Sequence, residues 1–396
     1  MHATQVLQKI LTPVIARLDA RNVRNLFFAV QALLAGRRLT LTELARHFPG
    51  AERIAAPLKR FDRLLSNAQV QALRVSCYQA AILWLLRMPR PALIVDWSEV
   101  KSDGRWHLLR AAVVARGRTL TVYEEVHPTA TLGSPRVEAA FLKRLKALLP
   151  AGIRPILVTD AGFRVPWFRA VEALGWHWVG RVRHRSRVKF LESSRSEQGW
   201  IASKTLYTRA TARAVSFGEV ALTESKHFLC RLALVRRRPR GRVHRTRYGQ
   251  RARGGYSRKI AAREREPWLL AASVSLAELS AAEIVALYTK RMQIEQSFRD
   301  LKSHRYGAAF EDTLTRDPRR LEMLLLIHML ATLAAWLEGL AIVTASLIAQ
   351  PVLTKRRVRH SAVWLGWESL RRHGTRLSVS PSEACARLRD VLAEAV

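Results

Sequence analysis

Along residues 1 to about 85 apolar side chains recur at three- and four-residue steps, as at Val6, Ile10, Val14 and Leu18. That period is helical, and no part of the segment alternates as a strand does, so it predicts a small all-helical domain. From Pro91 the period changes. Ala92-Leu-Ile-Val-Asp96 reads as a short buried strand ending in a carboxylate, and Trp106 to Val126 as two strands joined by a turn at Arg116-Gly117-Arg118. Helical spacing returns from Ser134 to Leu149, opening on a Ser-Pro start. Arg154 to Asp160 is a second buried strand ending in an acid, followed by a short helix (Pro166 to Leu174) and a strand (Trp176 to Val182).

The predicted order is β-β-β-α-β-α-β, with acids closing the first and fourth strands. It resembles the ribonuclease H-like fold, an α/β core with a mixed sheet flanked by helices. Residues from about 184 to 265 interrupt the pattern as a strand-rich, Arg-rich insertion. Its densest part, Arg236 to Lys259, holds eleven Lys or Arg and no Asp or Glu, with Gly and Tyr between them. That composition suits a loop tracking phosphates, and it equally suits a solvated charge run. Helical periodicity resumes at Ser280 and continues to the end. The expected domains are therefore 1–85 (helical), 86–183 (first part of the core), 184–270 (strand-rich basic insertion), 271–320 (last part of the core) and 321–396 (helical C-terminal region). Within the first, Leu39 to Gly50 followed by a stretch carrying Lys59, Arg60 and Arg63 fits a helix-turn-helix or a plain helical hairpin with a basic face.

Charge narrows the partners. Lys and Arg number 67 against 31 Asp and Glu, a formal charge of +36, and 49% of residues are hydrophobic. The chain can bury a large core and needs an anionic partner, nucleic acid first, with membrane surfaces or other polyanions behind it. Cys77, Cys230 and Cys385 have no metal-ligand spacing and fit a reducing compartment. The first twenty residues lack the apolar stretch of a signal peptide, so a cytoplasmic, nucleoid-associated protein is expected. The apolar run Met323 to Ala349 is interrupted by His328 and Glu338, and reads as a buried pair of core helices with no membrane role.

The segment richest in candidate chemistry is Tyr288-Thr-Lys-Arg-Met-Gln-Ile-Glu-Gln-Ser-Phe-Arg-Asp-Leu-Lys302, expected inside one helix starting near Ser280. On a 3.6-residue period Tyr288, Arg291, Glu295 and Lys302 share one face, beside an apolar one. Alone this could be an ion-pair ladder. Asp96 and Asp160 alter the weighing, because acids closing apolar strands of a basic protein suit cation ligands. Three gathered carboxylates could hold two divalent ions and perform phosphodiester chemistry.

The spacing Tyr288-x2-Arg291-x3-Glu295-x6-Lys302 resembles the Tyr-Arg-Glu-Lys signature of the insertion-sequence-four family of bacterial transposases, the insertion-sequence-ten branch above all. Leu39 to Leu44, Val95-Asp-Trp-Ser98, Asp160-Ala-Gly-Phe163 and Pro267-Trp268 extend the likeness over most of the chain. The resemblance implies a DDE cut-and-paste transposase with Asp96, Asp160 and Glu295 as catalytic triad and metal ligands. It implies two Mg2+ ions, with Mn2+ able to substitute. It further implies that Tyr288, Arg291 and Lys302 contact backbone phosphates of the DNA, and that Trp268 stacks on a base flipped out as a hairpin forms. A core role for Trp268 stays open. Where many members carry Asp-Arg-Gly after the second acid this chain has Asp160-Ala-Gly-Phe163-Arg164, and Arg164 could take part of that role. The implied partners are the terminal inverted repeats and the target DNA, with a homodimer pairing two ends. Two other readings stand beside it: a transposase-derived DNA-binding protein without catalysis, and a structure-selective nuclease on the same fold.

Overall fold

The elements follow the periodicity closely, and they were traced in a computed structural model. It describes residues 3–115, 117–183, 186–191, 199–238, 265–305, 307–349 and 360–374, with single positions between 250 and 262. Most of the basic run after Arg238, a second basic cluster read in the sequence at Lys355, Arg356, Arg357 and Arg359, and Cys385 lie outside these. The chain divides into two compact units, one made of Met1–Pro155 with Met292–Val396, the other of Ile156–Arg291.

The first unit opens with α1 (Ala3–Ile15), α2 (Ala20–Gly36), α3 (Leu41–Arg46), α4 (Ala55–Ser66), α5 (Ala68–Ala72) and α6 (Arg74–Leu85). Thr40 caps α3 by accepting from the Glu43 amide, which satisfies one of the donors a helix start leaves open. On α4, Phe61, Leu64 and Leu65 are buried while Lys59, Arg60 and Arg63 face solvent. Both the helix-turn-helix and the plain hairpin have this geometry. Three antiparallel strands follow: β1 (Ala92–Glu99), β2 (Trp106–Ala115) and β3 (Arg118–Pro128), with β2 in the middle. Contrary to the sequence reading, Asp96 does not close its strand, since β1 continues paired as far as Glu99 opposite His107. The helix α7 (Pro135–Leu148) begins with its proline in the first turn after Ser134, where the missing amide costs nothing.

The second unit holds seven strands among its described residues. Its strands are β4 (Ile156–Thr159), β5 (His177–Val182), β6 (Arg187–Phe190), β7 (Ile201–Ala202), β8 (Val215–Leu222), β9 (Phe228–Val235) and β10 (Trp268–Ala272). Their order is β4-β5-β10-β9-β8-β6-β7. β4 and β5 pair in parallel, through the crossover helix α8 (Val165–Glu172). Phe168 of α8 stacks on Trp178 of β5, ring centres 3.9 Å apart. Gly180 makes room for it, since a Cβ there would lie 2.7 Å from the Phe168 ring. The stretch expected as a strand-rich insertion carries β6 to β9 and the start of β10. The unit closes with α9 (Ala281–Thr289), started by a Ser280/Glu283 capping box.

Two further expectations are corrected. The helix foreseen from Ser280 through Lys302 is two helices, α9 and α10 (Met292–Lys302), parted at Lys290 and Arg291. There the Lys290 and Arg291 amides reach back three residues, to Leu287 and Tyr288, and the Thr289 hydroxyl donates to the Val285 carbonyl at 2.8 Å. A hydroxyl bonding back one turn competes with the helix ladder and bends it. The apolar run is likewise not a helix pair but one helix, α11 (Pro318–Ala349). Its Pro318–Val343 stretch is long and apolar enough to cross a membrane, yet 83% of the most apolar window is buried within the protein. The buried Glu338 carboxylate accepts from Ser369 of α12 (Ala362–Arg372), and burial drives the His328 imidazole down to about 3, so it stays neutral.

Candidate active site

In the first unit, β1 buries Leu93, Ile94 and Val95 completely and then leaves Asp96 half-buried. An apolar strand thus holds one carboxylate at a fixed depth. α10 packs against β3 and β1. Its apolar stripe is Ile294, Phe298 and Leu301. A polar stripe binds it to the start of β3: Gln293 accepts from the Gly117 amide at 3.1 Å, Ser297 from the Thr119 amide at 2.9 Å, and Asp300 pairs with Arg118. Glu295 and Lys302, seven residues apart, share a further face, both half-buried.

Lys302 couples this face to the strand. Burial lowers the affinity of its ammonium for a proton, while Glu311, Glu99 and Asp96 act the other way and Arg110 adds to the lowering. Lys302 therefore sits among three carboxylates, only one of which the sequence had singled out. Nothing in the local pattern marks Glu311, which reaches the site because a short 3-10 turn, Phe310–Asp312, packs on α10.

The second unit gathers the others. Asp160 directly follows β4 and accepts from the Gly162 amide at 2.7 Å, a tight Asx turn that orients its carboxylate. Tyr288 of α9 is 3% exposed. Burial raises its phenol pKa, Arg291 and Arg181 lower it, and Asp160 raises it, so all three charged groups lie within electrostatic reach of the ring. The Arg291 guanidinium lies over that ring at 5.8 Å. Trp268, half-buried at the head of β10, meets Tyr288 edge-on with ring centres 5.0 Å apart. Arg237 covers the indole at 5.4 Å and donates to the Thr289 hydroxyl at 3.3 Å. Arg237 and Arg181 had no sequence signal beyond membership of a basic surface. Arg164 is exposed at the N-terminal cap of α8.

The first unit thus carries Asp96, Glu295 and Lys302, and the second Asp160, Trp268, Tyr288 and Arg291. The family model described as the transposase DDE domain matches residues 87–334. The chain belongs to the DDE transposases. No curated protein matches it. All seven candidate residues of this transposase fall inside the matched stretch, which opens after α6 and ends within α11.

A DDE transposase acts on DNA, and domains of this family generally work with divalent metal ions. The donor chemistry here fits such ions. Asp96 and Glu295 are hard oxygen donors on a strand and a helix that pack together, half-buried and so reachable. Magnesium is commonly held by one or two carboxylates, the rest of its shell being water and substrate phosphate. Among the described residues no three His, Cys, Asp or Glu side chains form a metal-binding group.

Proposed function

We propose that this transposase is a cut-and-paste enzyme of the insertion-sequence-four family, closest to its insertion-sequence-ten branch, built on a ribonuclease H-like core. It binds the terminal inverted repeats of its element through residues 1–85 and acts as a homodimer that pairs two ends. Asp96, Asp160 and Glu295 are its catalytic triad and hold two Mg2+ ions, or Mn2+ in their place. The observation that carries this reading is the placement of Glu295 and Lys302 on one face of a helix packed against the Asp96 strand, with Lys302 within electrostatic reach of Asp96.

The bound ions would stabilise the charge that develops on the reacting phosphate and favour ionisation of the attacking oxygen. The chain's own side chains do the rest. Lys302 and Arg291 hold backbone phosphate oxygens by charge-assisted hydrogen bonds, and the Tyr288 phenol adds a neutral one. Each step is an in-line exchange: a new P–O bond forms to the attacking oxygen, the old one breaks, and the leaving 3′-oxygen takes a proton. Water attacks first and frees a 3′-hydroxyl. That hydroxyl attacks the opposite strand to give a hairpin, water opens the hairpin, and the hydroxyl finally attacks target DNA. Trp268 offers a half-exposed indole on which a base extruded from the tight hairpin stacks.

The test is incubation of the protein and Mg2+ with linear DNA bearing the element's ends, resolved on denaturing gels. Wild type should give nicks, hairpins and joined products. Asp160→Asn should give none while binding the ends within about threefold of wild type, because one ligand is lost and the basic surface is kept. Cleavage that survives this substitution would remove Asp160 from the triad. Nicking without joining would favour the nuclease, and binding without cleavage in Mg2+ or Mn2+ the inactive DNA-binding protein.

A further inference from the structure

The three strands of the first unit carry a row of charge across their width. Asp96 of β1 stands directly opposite Arg110 of β2, and Arg110 directly opposite Glu124 of β3. Residues opposed in this way share one face of the sheet. Arg110 is 1% exposed and Glu124 fully buried. Arg110 Nε donates to Glu124 Oε2 at 2.7 Å, and Nη2 lies 2.7 Å from the same oxygen. Glu124 is fixed further by the Tyr78 hydroxyl, which donates to Oε1 at 2.8 Å, and its backbone carbonyl accepts from Arg74 at 2.9 Å.

An ion pair this deep is costly to place, and replacing one with apolar side chains is often neutral or stabilising. Stability alone therefore gives it little reason to exist. Two further features point toward the site. The β2/β3 register slips between Ala111 and Ala112, one residue past Arg110, and such bulges re-aim neighbouring side chains. The Arg110 guanidinium also lies 4.9 Å over the ring of Phe298, on the helix that carries Glu295 and Lys302. One planar cation thus touches the active-site helix with its face and a buried carboxylate with its edge, in the row that begins at Asp96.

We propose that Arg110 and Glu124 are a positioning pair, holding the Asp96 strand and the Glu295 helix in the alignment that divalent-cation binding needs. This rests on the reading of Asp96 and Glu295 as cation ligands. The pair touches neither cation nor DNA. Groups in this outer position typically change metal affinity by about 10- to 100-fold when altered.

The double variant Arg110→Met with Glu124→Gln removes both charges together, so no lone charge stays buried and Tyr78 keeps an acceptor. Three measurements are made on the full chain: melting temperature without DNA, Mn2+ binding by titration calorimetry, and kcat and KM for cleavage of end DNA. The expected result is a melting temperature within a few degrees of wild type, Mn2+ binding weakened about tenfold or more, and kcat lowered with KM for DNA little changed. A folded double variant with wild-type Mn2+ affinity and kcat overturns the proposal. Should that variant not fold, Arg110→Lys decides: it keeps the charge opposite Glu124 and loses the flat face over Phe298. Weakened Mn2+ binding is again expected, and wild-type values again overturn the idea. If wild type itself binds no Mn2+, the reading of the acids as ligands fails first, and the proposal falls with it.

Discussion

Lys302 takes its character from the residues around it. Half-buried among Asp96, Glu99 and Glu311, its ammonium is drawn one way by burial and the other by three acids. If it holds a DNA phosphate, Lys302→Gln removes one charge-assisted contact. Cleavage should fall about 10- to 100-fold, and the slope of log affinity against log salt should become shallower by about one. Band-shift titrations across a salt series measure the slope directly. A changed rate with an unchanged slope would place Lys302 against the carboxylates alone. Asp96 and Asp160 stood out in the sequence because an acid after an apolar run contradicts its surroundings. Glu99, Glu311 and Arg110 were not, because each looks like an ordinary polar residue until the register of β1 and β2 and the turn after α10 bring it to Lys302.

Elements were read better than their ends. Every strand from β1 to β5 was visible in the alternation, and the β-β-β-α-β-α-β order with it. Hidden were the events that depend on single hydrogen bonds, above all the break between α9 and α10. A 3.6-residue period runs unbroken through Lys290 and Arg291, so periodicity cannot register three-residue turns or the Thr289 hydroxyl bonded back to Val285. The length of α11 was hidden for a related reason: Glu338 interrupts an apolar run in sequence, while in space Ser369 satisfies it. That contact between α11 and α12 depends on two glycines. A Cβ at Gly339 would lie 1.7 Å from the Ala362 carbonyl oxygen, and one at Gly366 equally close to that of Ala335. The helices therefore touch backbone to backbone, and neither can yield without separating. Gly339→Ala should cost about 3 kcal/mol or more, beyond the usual penalty for overpacking, since backbone cannot rotate away. Thermal unfolding measures this, and a loss under about 1 kcal/mol would show that the two helices part easily.

For the whole molecule the governing number is the charge of +36. It accounts for attraction to DNA at any sequence and says nothing of where cutting occurs, which the proposed function assigns to a few acids among so many cations. The chemistry adds a constraint of its own. On the proposed cut-and-paste route, joining must free both ends of an element and deliver them to one target, and the proposed triad of Asp96, Asp160 and Glu295 gives each chain a single set of carboxylates. Two chains, each working on one end, satisfy this with the fewest parts. Mixing the transposase with end DNA of two lengths tests it: paired ends give a third band of intermediate mobility besides the two pure ones. That band should disappear in excess non-specific DNA more slowly than single-end complexes do, because releasing a paired end means breaking two sets of phosphate contacts at once. Two bands alone, at every protein concentration that saturates the ends, would show each chain acting on one end unaided, and the joining step would then need another route to bring the ends together.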